Sequence, residues 1–335
     1  MDTFVSVIVP IRNEEKHIAE CIDSIIHQTY AKEKLEIFLV DGRSEDNTKL
    51  IIEGYMKKYP FIKVLDNLEK HQAVALNIGI KASRGDIIIR MDAHTYYDKD
   101  YISKCVETHE KIDALNVGGP IVTLPGNSTK RARAIAMATS HSFGVGNSKF
   151  RTSNKAEYVD TVTFGAFKRE VFNKVGLFNE RLIRNQDIEL NMRIRKSGGK
   201  IYLNPEIKSY YYNQSTLRGL WAQNFRNGMW NIFTHAVSRN PLSLRHYIPF
   251  IFVASLLLSS LSTLLNPVGT IFFMLVASSY LAANMLFSIK IAIIHDLKLI
   301  VVLPIVFFTL HFSYGIGSFW GLINVRKWKK KIDKS

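Results

Sequence analysis

Three short apolar runs in the first hundred residues each end in acidic or polar side chains. The runs are residues 5–10, 37–40 and 87–91, and the polar segments that follow them are 11–15, 41–48 and 92–94. Short β-branched runs followed by turn-forming residues predict buried strands. Ligands of an open α/β sheet bind beyond the carboxyl ends of such strands. The sequence therefore predicts an α/β domain with one site where the three acidic ends meet.

Five motifs carry a resemblance to a known family. They are Pro10-Ile-Arg-Asn-Glu14, Asp41-Gly-Arg-Ser-Glu-Asp-Asn-Thr48, Ala75-Leu-Asn-Ile-Gly79, Arg84-Gly-Asp86 and Asp92-Ala-His94. In this order, over roughly residues 4–200, the chain resembles glycosyltransferase family 2. Arg12 stands where the family usually has an aromatic residue, and Asp92-Ala-His94 replaces the common Asp-x-Asp.

The resemblance implies a GT-A fold and inverting hexosyl transfer from a nucleotide sugar, first of all a UDP-linked one. It implies contacts with the nucleotide sugar for Pro10, Arg12, Glu14, Asp41, Asn77 and Asp92. A plainer role is open for two of these residues. Asp41 could cap the helix that follows it, and Glu14 could favour a helix start.

Asp92 and His94 are the candidate metal ligands. If Ala93 occupies a turn, both side chains can face one ion. A carboxylate and an imidazole suit Mn²⁺ or Mg²⁺. Such a cation would neutralise the charge that develops on the leaving diphosphate.

Asp187 is the candidate catalytic base. Its segment, Asn185-Gln-Asp-Ile-Glu-Leu-Asn-Met-Arg193, resembles the family segment whose Asp deprotonates the acceptor hydroxyl, with Gln186 in place of Glu. The alternative is a helix start in which the acidic residues pair with Arg193. The resemblance also assigns Gly165, in Thr163-Phe-Gly-Ala-Phe167, and Gln186 to the acceptor side.

A later motif, Gln223-Asn-Phe-Arg-Asn227, resembles the Gln-x-x-Arg-Trp element of processive polysaccharide synthases. Asn227 replaces the Trp, and Trp230 lies one turn later. Gln223, Arg226 and Trp230 are therefore predicted acceptor contacts, and the departure favours a transferase that adds a single sugar.

The C-terminal third consists mainly of apolar runs. Uncharged runs at 248–265, 268–289 and 299–323 each have a length that crosses a hydrocarbon core of about 30 Å. We predict the domains 1–214 (GT-A domain), 215–247 (interfacial amphipathic helix or linker), 248–325 (transmembrane region) and 326–335 (basic tail). The amphipathic helix could equally pack on the soluble domain, and one helix can do both.

The membrane topology expected from these runs contains a conflict. Nucleotide sugars are cytosolic, so the catalytic domain should face the cytoplasm, and three spans would place the C-terminus outside. The basic tail from Arg326 favours the cytoplasmic side. We therefore expect one segment to be re-entrant or interfacial, so that the number of complete crossings is even. The best candidate is the last run, which contains Pro304 and the glycines at 315 and 317.

The whole layout is similar to bacterial exopolysaccharide transferases of the succinoglycan type, in the cytoplasmic membrane. This predicts a polyprenyl-diphosphate-linked saccharide as acceptor, anionic lipid as a partner, and contact with other polysaccharide-assembly proteins. The net charge of +15 lies largely beside apolar runs, which favours lipid over nucleic acid. The rivals are a polyprenyl-phosphate sugar transferase and an inactive membrane scaffold. Two cysteines give no disulfide framework.

Overall fold

The chain folds into two compact units, each built from two segments of the sequence. A computed structural model describes residues 2–238 and 242–332. The first unit is Met1–Val122 with Lys149–Tyr212, and the second is Thr123–Ser148 with Asn213–Ser335. Residues 333–335 of the predicted basic tail lie outside the described part.

Strands and helices are interspersed up to residue 212, and the later elements are helical. The strands are Val5–Ile11 (β1), Leu35–Asp41 (β2), Ile62–Asp66 (β3), Ile87–Arg90 (β4), Thr95–Tyr97 (β5), Asn116–Gly119 (β6), Ile121–Leu124 (β7), Glu157–Tyr158 (β8), Thr163–Lys168 (β9), Ile201–Leu203 (β10) and Ser209–Tyr212 (β11). The helices are Ile18–Ile26 (α1), Thr48–Lys58 (α2), Gln72–Ala82 (α3), Tyr101–Lys111 (α4), Lys130–Thr139 (α5), Ser142–Val145 (α6), Lys149–Thr152 (α7), Glu170–Val175 (α8), Gln186–Lys196 (α9), Leu217–Val237 (α10), Ile248–Ser262 (α11), Pro267–His295 (α12) and Leu303–Ile332 (α13).

An eight-stranded sheet in the order β3-β2-β1-β4-β9-β6-β10-β8 organises the first unit. The strands β3, β2, β1 and β4 run parallel, and β9 is antiparallel to β4. Ile11 lies opposite Asp41, and Ile8 lies opposite Arg90, so the carboxyl ends of these strands reach one edge. The three predicted strands are therefore observed, and their polar ends lie together.

Both faces of this sheet are covered, as the continuous apolar runs require. Val7 and Val9 belong to the core shared with α1 and α4, whereas Ile8 belongs to the core shared with α3 and α9. Side chains alternate between faces along a strand, so one run fills two cores. The predicted α/β class with C-terminal apolar helices is confirmed.

The second unit contains a segment that the sequence did not group with the C-terminal region. Ala134, Ile135 and Ala138 on α5 are buried against Leu303 and Phe307 of α13. The small apolar face of α5 needs cover, and α13 supplies it. Residues 123–148, inside the predicted 1–214 domain, thus pack with the helical unit.

The helices α10 and α13 approach closely through small residues. A Cβ on Gly317 would lie 2.0 Å from the carbonyl oxygen of Phe225, and one on Gly228 would lie 2.0 Å from that of Tyr314. Gly317 and Gly321 have the four-residue spacing that lets two helix backbones meet. The predicted amphipathic helix is therefore packed along α13, whatever its relation to lipid.

Within the part of the chain that the structure describes, two helices are long and apolar enough to cross a membrane. These are α12, 29 residues with only 6% of its apolar window buried, and α13, 30 residues with 56% buried. The helix α11 has 15 residues, which at about 1.5 Å per residue is shorter than a span. The expected first span, 248–265, is thus too short as a helix.

The expectation that residues 299–323 are re-entrant is wrong. The helix α13 is continuous through Gly315 and Gly317, and it includes the predicted tail up to Ile332. Pro304 lies in its first turn, where a missing N–H breaks no helical hydrogen bond. The glycines serve contact with neighbouring helices and do not form a turn.

We expect Gly317→Leu to separate α10 from α13. The new side chain would meet the Phe225 carbonyl, and overpacking of this kind costs about 1–3 kcal/mol or more. Thermal unfolding in detergent should show a clear fall in stability. Gly54→Leu, inside α2 where an added Cβ meets nothing within 4 Å, is the matched control and should unfold no earlier than the wild type, because leucine favours a helix over glycine. An unchanged transition for Gly317→Leu would contradict the tight contact.

Candidate active site

A cavity of about 230 Å³ lies at the carboxyl ends of β1, β2 and β4. Five of the predicted site residues line it, namely Pro10, Arg12, Glu14, Asp92 and His94. Lys70, His71 and Gln72 also line it, although the sequence analysis did not select them. Cationic and acidic side chains therefore face the same small space, as a diphosphate–metal pair would need.

Asp41 is buried and does not line this cavity. Its carboxylate accepts hydrogen bonds from the Ser44 hydroxyl at 2.6 Å and from the Ser44 N–H at 3.2 Å. Ser44 Oγ in turn accepts the N–H of Asn13 at 2.9 Å. Asp41 thus ties the loop after β2 to the loop after β1, and its nucleotide contact stays a prediction.

The central feature is a buried guanidinium between two carboxylates. Arg90, the last residue of β4, is 5% exposed. Its Nη2 donates to Asp92 Oδ1 at 3.0 Å, and its Nη1 forms an ion pair with Asp187 Oδ2. The predicted metal ligand and the predicted base are therefore linked through one side chain.

A chain of hydrogen bonds also connects Asp92 to the start of α9. Gln72 Nε2 donates to Asp92 Oδ1 at 3.0 Å, and Gln186 Nε2 donates to Gln72 Oε1. Gln186 is buried and serves this link between α3, β4 and α9. Its predicted contact with an acceptor stays a prediction, whereas its role in positioning the start of α9 is visible.

Asp187, the predicted base, lies beside Arg90 at the start of α9. It lies in the first turn of α9, after Asn185 in the left-handed conformation (φ 64°) that asparagine tolerates. Asp187 Oδ1 is buried and has no hydrogen-bond partner among the described residues. Arg193 pairs with Glu189 at 2.8 Å, so the alternative role as its salt-bridge partner falls to Glu189. Asp187 itself does not line the cavity, and its role as the base stays a prediction.

His94 and Glu14 form a second polar contact in the cavity. His94 Nδ1 lies 3.3 Å from Glu14 Oε1. Burial disfavours the charged imidazole, but the Glu14 hydrogen bond and the charges of Asp92 and Glu14 outweigh it, so the pKa of His94 is raised. An environment that stabilises positive charge on the ring also suits a cation beside it.

The donor set fits a divalent ion shared with a ligand. Among residues 2–238 and 242–332, no three His, Cys, Asp or Glu side chains converge as a complete metal site. Mg²⁺ and related ions commonly use one or two protein carboxylates, with phosphate and water completing the shell. Asp92 and His94 match that partial set.

Two further predicted residues have structural partners. The Asn77 amide donates to the Phe178 carbonyl at 2.9 Å and to Glu180 at 2.8 Å, and Asn77 does not line the cavity. A Cβ on Gly165 would lie 2.3 Å from the Asn116 side chain, so this position admits no larger residue without a shift. Their ligand contacts stay predictions.

The remaining acceptor candidates lie on α10, in the second unit. Arg226 is exposed, and its Nε donates to the Ala222 carbonyl at 3.1 Å. Trp230 is buried and packs edge-to-face on Phe233 and on Trp328 at 5.6 Å. Trp230 therefore has a packing role, and Gln223 lies on the same helix.

Sequence reasoning missed Arg90 and Gln72. Arg90 carried a signal, because a charge at the end of Ile-Ile-Ile-Arg-Met is costly to bury without a partner. Gln72 carried none, since its two partners come from elements distant in sequence.

Comparison with known proteins agrees with this geometry. The pattern described as Glycosyl transferase family 2 matches residues 6–176. A dolichyl N-acetyl-alpha-D-glucosaminyl phosphate 3-beta-D-2,3-diacetamido-2,3-dideoxy-beta-D-glucuronosyltransferase of Methanococcus voltae is 31% identical over 96% of this chain and 97% of its own length. The succinoglycan biosynthesis protein ExoA of Rhizobium meliloti is 28% identical over 78% of this chain and 81% of its own.

A solved structure shares the architecture. A mannosyltransferase of Pyrobaculum calidifontis, in complex with GDP-Man and Mn²⁺, superposes with a TM-score of 0.60 at 18% identity. The match covers 96% of this chain and 88% of that one. The likeness confirms the predicted GT-A-like fold.

We expect Arg90 and Asp187 to be energetically coupled. In a double-mutant cycle, Arg90→Gln and Asp187→Asn should each destabilise the protein, and the double variant should lose less than their sum. A coupling of about 0.5–3 kcal/mol is expected for contacting buried groups, measured by thermal unfolding in detergent.

The exposed pair Asp113–Lys200, at 2.9 Å, provides the matched control cycle. Surface pairs contribute little, so its coupling should be much smaller. Equal coupling in the two cycles would mean that the Arg90 bridge does not hold the site together.

Proposed function

The chain belongs to glycosyl transferase family 2, and on that premise we propose that it transfers a hexosyl group, with inversion, from a nucleotide sugar to a lipid-linked saccharide. The observation that carries the proposal is the Arg90 bridge between Asp92 and Asp187. A direct displacement needs a group that holds the metal ion on the leaving-group side and a base on the acceptor side. The Arg90 guanidinium fixes the position of one carboxylate for each role, Asp92 and Asp187.

Asp187 is the proposed catalytic base. Its Oδ1, which has no hydrogen-bond partner among the described residues, accepts the proton of the acceptor hydroxyl while that oxygen bonds to the anomeric carbon. The bond from the anomeric carbon to the diphosphate oxygen breaks, and the nucleoside diphosphate leaves.

Asp92 and His94 would hold a divalent cation, Mn²⁺ or Mg²⁺, with Glu14 hydrogen-bonded to His94. When bound, the ion supplies positive charge to the leaving diphosphate. The Mn²⁺ in the Pyrobaculum mannosyltransferase complex supports this choice.

Arg12 and Lys70 give the cavity a second source of positive charge. Both side chains line it, and Arg12 Nη1 donates to the Lys70 carbonyl at 3.5 Å. We propose that Arg12, in place of the family's usual aromatic residue, contacts the diphosphate. A UDP-linked sugar is the first donor to test, and a GDP-linked one is the second.

The relatives support a lipid-linked acceptor. The name of the Methanococcus voltae relative describes a dolichyl phosphate-linked sugar, and the Rhizobium meliloti relative is named for succinoglycan biosynthesis. We propose a polyprenyl-linked saccharide as acceptor, in extracellular or capsular polysaccharide synthesis. Transfer to bare polyprenyl phosphate, with none to the lipid-linked saccharide, would favour the rival polyprenyl-phosphate transferase.

The proposed location is the cytoplasmic membrane, with α12 and α13 each crossing once. The exposed apolar side chains of α12 need lipid, and the hairpin of two spans returns the chain to its starting side. The catalytic unit and the basic end of α13 then both face the cytoplasm, where anionic lipid meets Lys329, Lys330 and Lys331.

Asp187→Asn should abolish transfer while keeping donor binding. The amide keeps the shape and lacks the basicity, so kcat should fall by about 10²–10⁴. Turnover is measured as nucleoside diphosphate release with a lipid-linked saccharide acceptor, and donor affinity is measured by calorimetry. Asp113→Asn, an exposed carboxylate, is the matched control. Near-normal turnover would assign the base elsewhere.

Activity should require a divalent ion through Asp92 and His94. Asp92→Ala should lose nearly all turnover, and Mn²⁺ affinity in the presence of nucleoside diphosphate should fall with it. His94→Asp should retain much activity and shift preference from Mn²⁺ towards Mg²⁺, since a carboxylate is the harder ligand. Full wild-type activity in excess chelator would refute the metal role.

The even number of crossings is tested with a single cysteine at Ser335. Cys21 and Cys105 are buried, so an impermeant thiol reagent should react mainly with the new thiol. On intact cells we expect no labelling, and after lysis we expect full labelling. Labelling from outside would mean an odd number of crossings.

A further inference from the structure

A cavity of the second unit is lined by residues other than those of the candidate active site. Its volume is about 450 Å³, and it is enclosed by α6 with the loop after it, α10, the start of α11, α12 and α13. Pockets of about 300–1,000 Å³ hold small ligands. All the lining residues belong to this one unit.

One wall of this cavity is aromatic. Phe252 stacks on Tyr280 at 4.3 Å, and Phe143 meets His311 edge-on at 4.9 Å. His311 Nε2 donates to the Phe143 carbonyl at 2.8 Å, so its Nδ1 accepts from the Tyr280 hydroxyl at 3.1 Å. Both ring nitrogens of His311 are therefore hydrogen-bonded within the wall, and the surface that the wall presents to the cavity is apolar and suited to a hydrocarbon chain.

The other wall is polar. Asn224 and Asn227 on α10 face the cavity together with Arg245 and His246, which immediately precede α11. The Arg245 side chain is fixed over the loop after α6, where its Nη1 donates to the Asn147 carbonyl at 3.0 Å. Gly146, with φ 63°, leaves room for it. A guanidinium with amide groups beside it is suited to phosphate.

The two walls meet along α13. Leu310 and His311 line the aromatic part, whereas Tyr314 lies one turn further along. The lining of the cavity therefore changes from apolar to polar within about one helical turn, or 5.4 Å.

The geometry points to a binding site for the phosphate end and first isoprene units of a prenyl lipid. The choice of a prenyl lipid rests on the proposed function. The size supports it as well, because the cavity suits one narrow chain and is small for the two chains of a diacyl phospholipid. Asn224 and Asn227, and not the predicted Gln223 and Arg226, are the α10 residues that line it.

The test uses the full chain in nanodiscs of neutral lipid and radiolabelled farnesyl diphosphate. UDP and GDP are present in excess to occupy the donor cavity, so that the diphosphate of the probe cannot bind there. Asn224→Trp should fill the cavity, and Arg245→Gln should remove the charge. Each is expected to weaken binding by about tenfold or more. Arg218→Gln, an exposed arginine on α10 outside the cavity, should bind like the wild type.

Competition with unlabelled ligands shows which part of the probe the cavity recognises. Unlabelled farnesyl diphosphate should displace the probe far better than farnesol, inorganic diphosphate or phosphatidylglycerol. Equal displacement by farnesol, by inorganic diphosphate or by phosphatidylglycerol would overturn the inference in favour of a chain pocket, an anion site or a general phospholipid site, respectively. Wild-type binding in both cavity variants would overturn it too.

Donor binding and thermal unfolding verify that each variant is folded. The outcome is separable from that of the proposed function. Wild-type acceptor KM in Asn224→Trp would overturn the cavity inference while transfer stands. The expected binding pattern without any sugar transfer would support the cavity and refute the proposed activity.

Discussion

A guanidinium removed from water at the end of a strand needs negative charge around it, and Arg90 obtains that charge from two directions. Asp92 lies two residues later, just beyond the end of β4, and Asp187 comes from the first turn of α9. Burying a charge without partners costs several kcal/mol, whereas removing one partner of a buried pair leaves that cost uncompensated. The position of α9 relative to the sheet, and of Asp187 relative to Asp92, therefore depends on this bridge.

The sheet and its polar edge could be predicted because the information is local. Runs such as Ile87-Ile-Ile fix a strand, and the residues after it fall at the carboxyl edge whatever the rest of the fold does. Asp92 and His94 were found in this way. The partners of these residues could not be found, since Gln72 reaches Asp92 from another element and Gln186 reaches Gln72 from a third. For Asp41 a local signal existed, because Ser44 three residues later can turn back to its carboxylate.

The helical unit shows the opposite balance. The lengths of the apolar segments could be read from the sequence, but the contacts that each residue makes could not. Pro304 and Gly315 suggest a break, yet one lies in a first turn and the other packs against Pro249 and Val253. Lys130 and Arg131 give α5 a soluble character, while its small apolar side chains lie against α13. Proline and glycine act by position and by neighbours, and neighbours are tertiary information.

The path of the chain through its units has a practical consequence. It passes from one unit to the other after Val122, after Ser148 and after Tyr212. A fragment ending near residue 214 would therefore keep α5 and lose the helix that covers it, leaving Ala134, Ile135 and Ala138 in contact with water. Such a fragment would aggregate through a surface that belongs to the other unit. A soluble catalytic core requires two excisions, one internal and one terminal, with a short linker replacing residues 123–148.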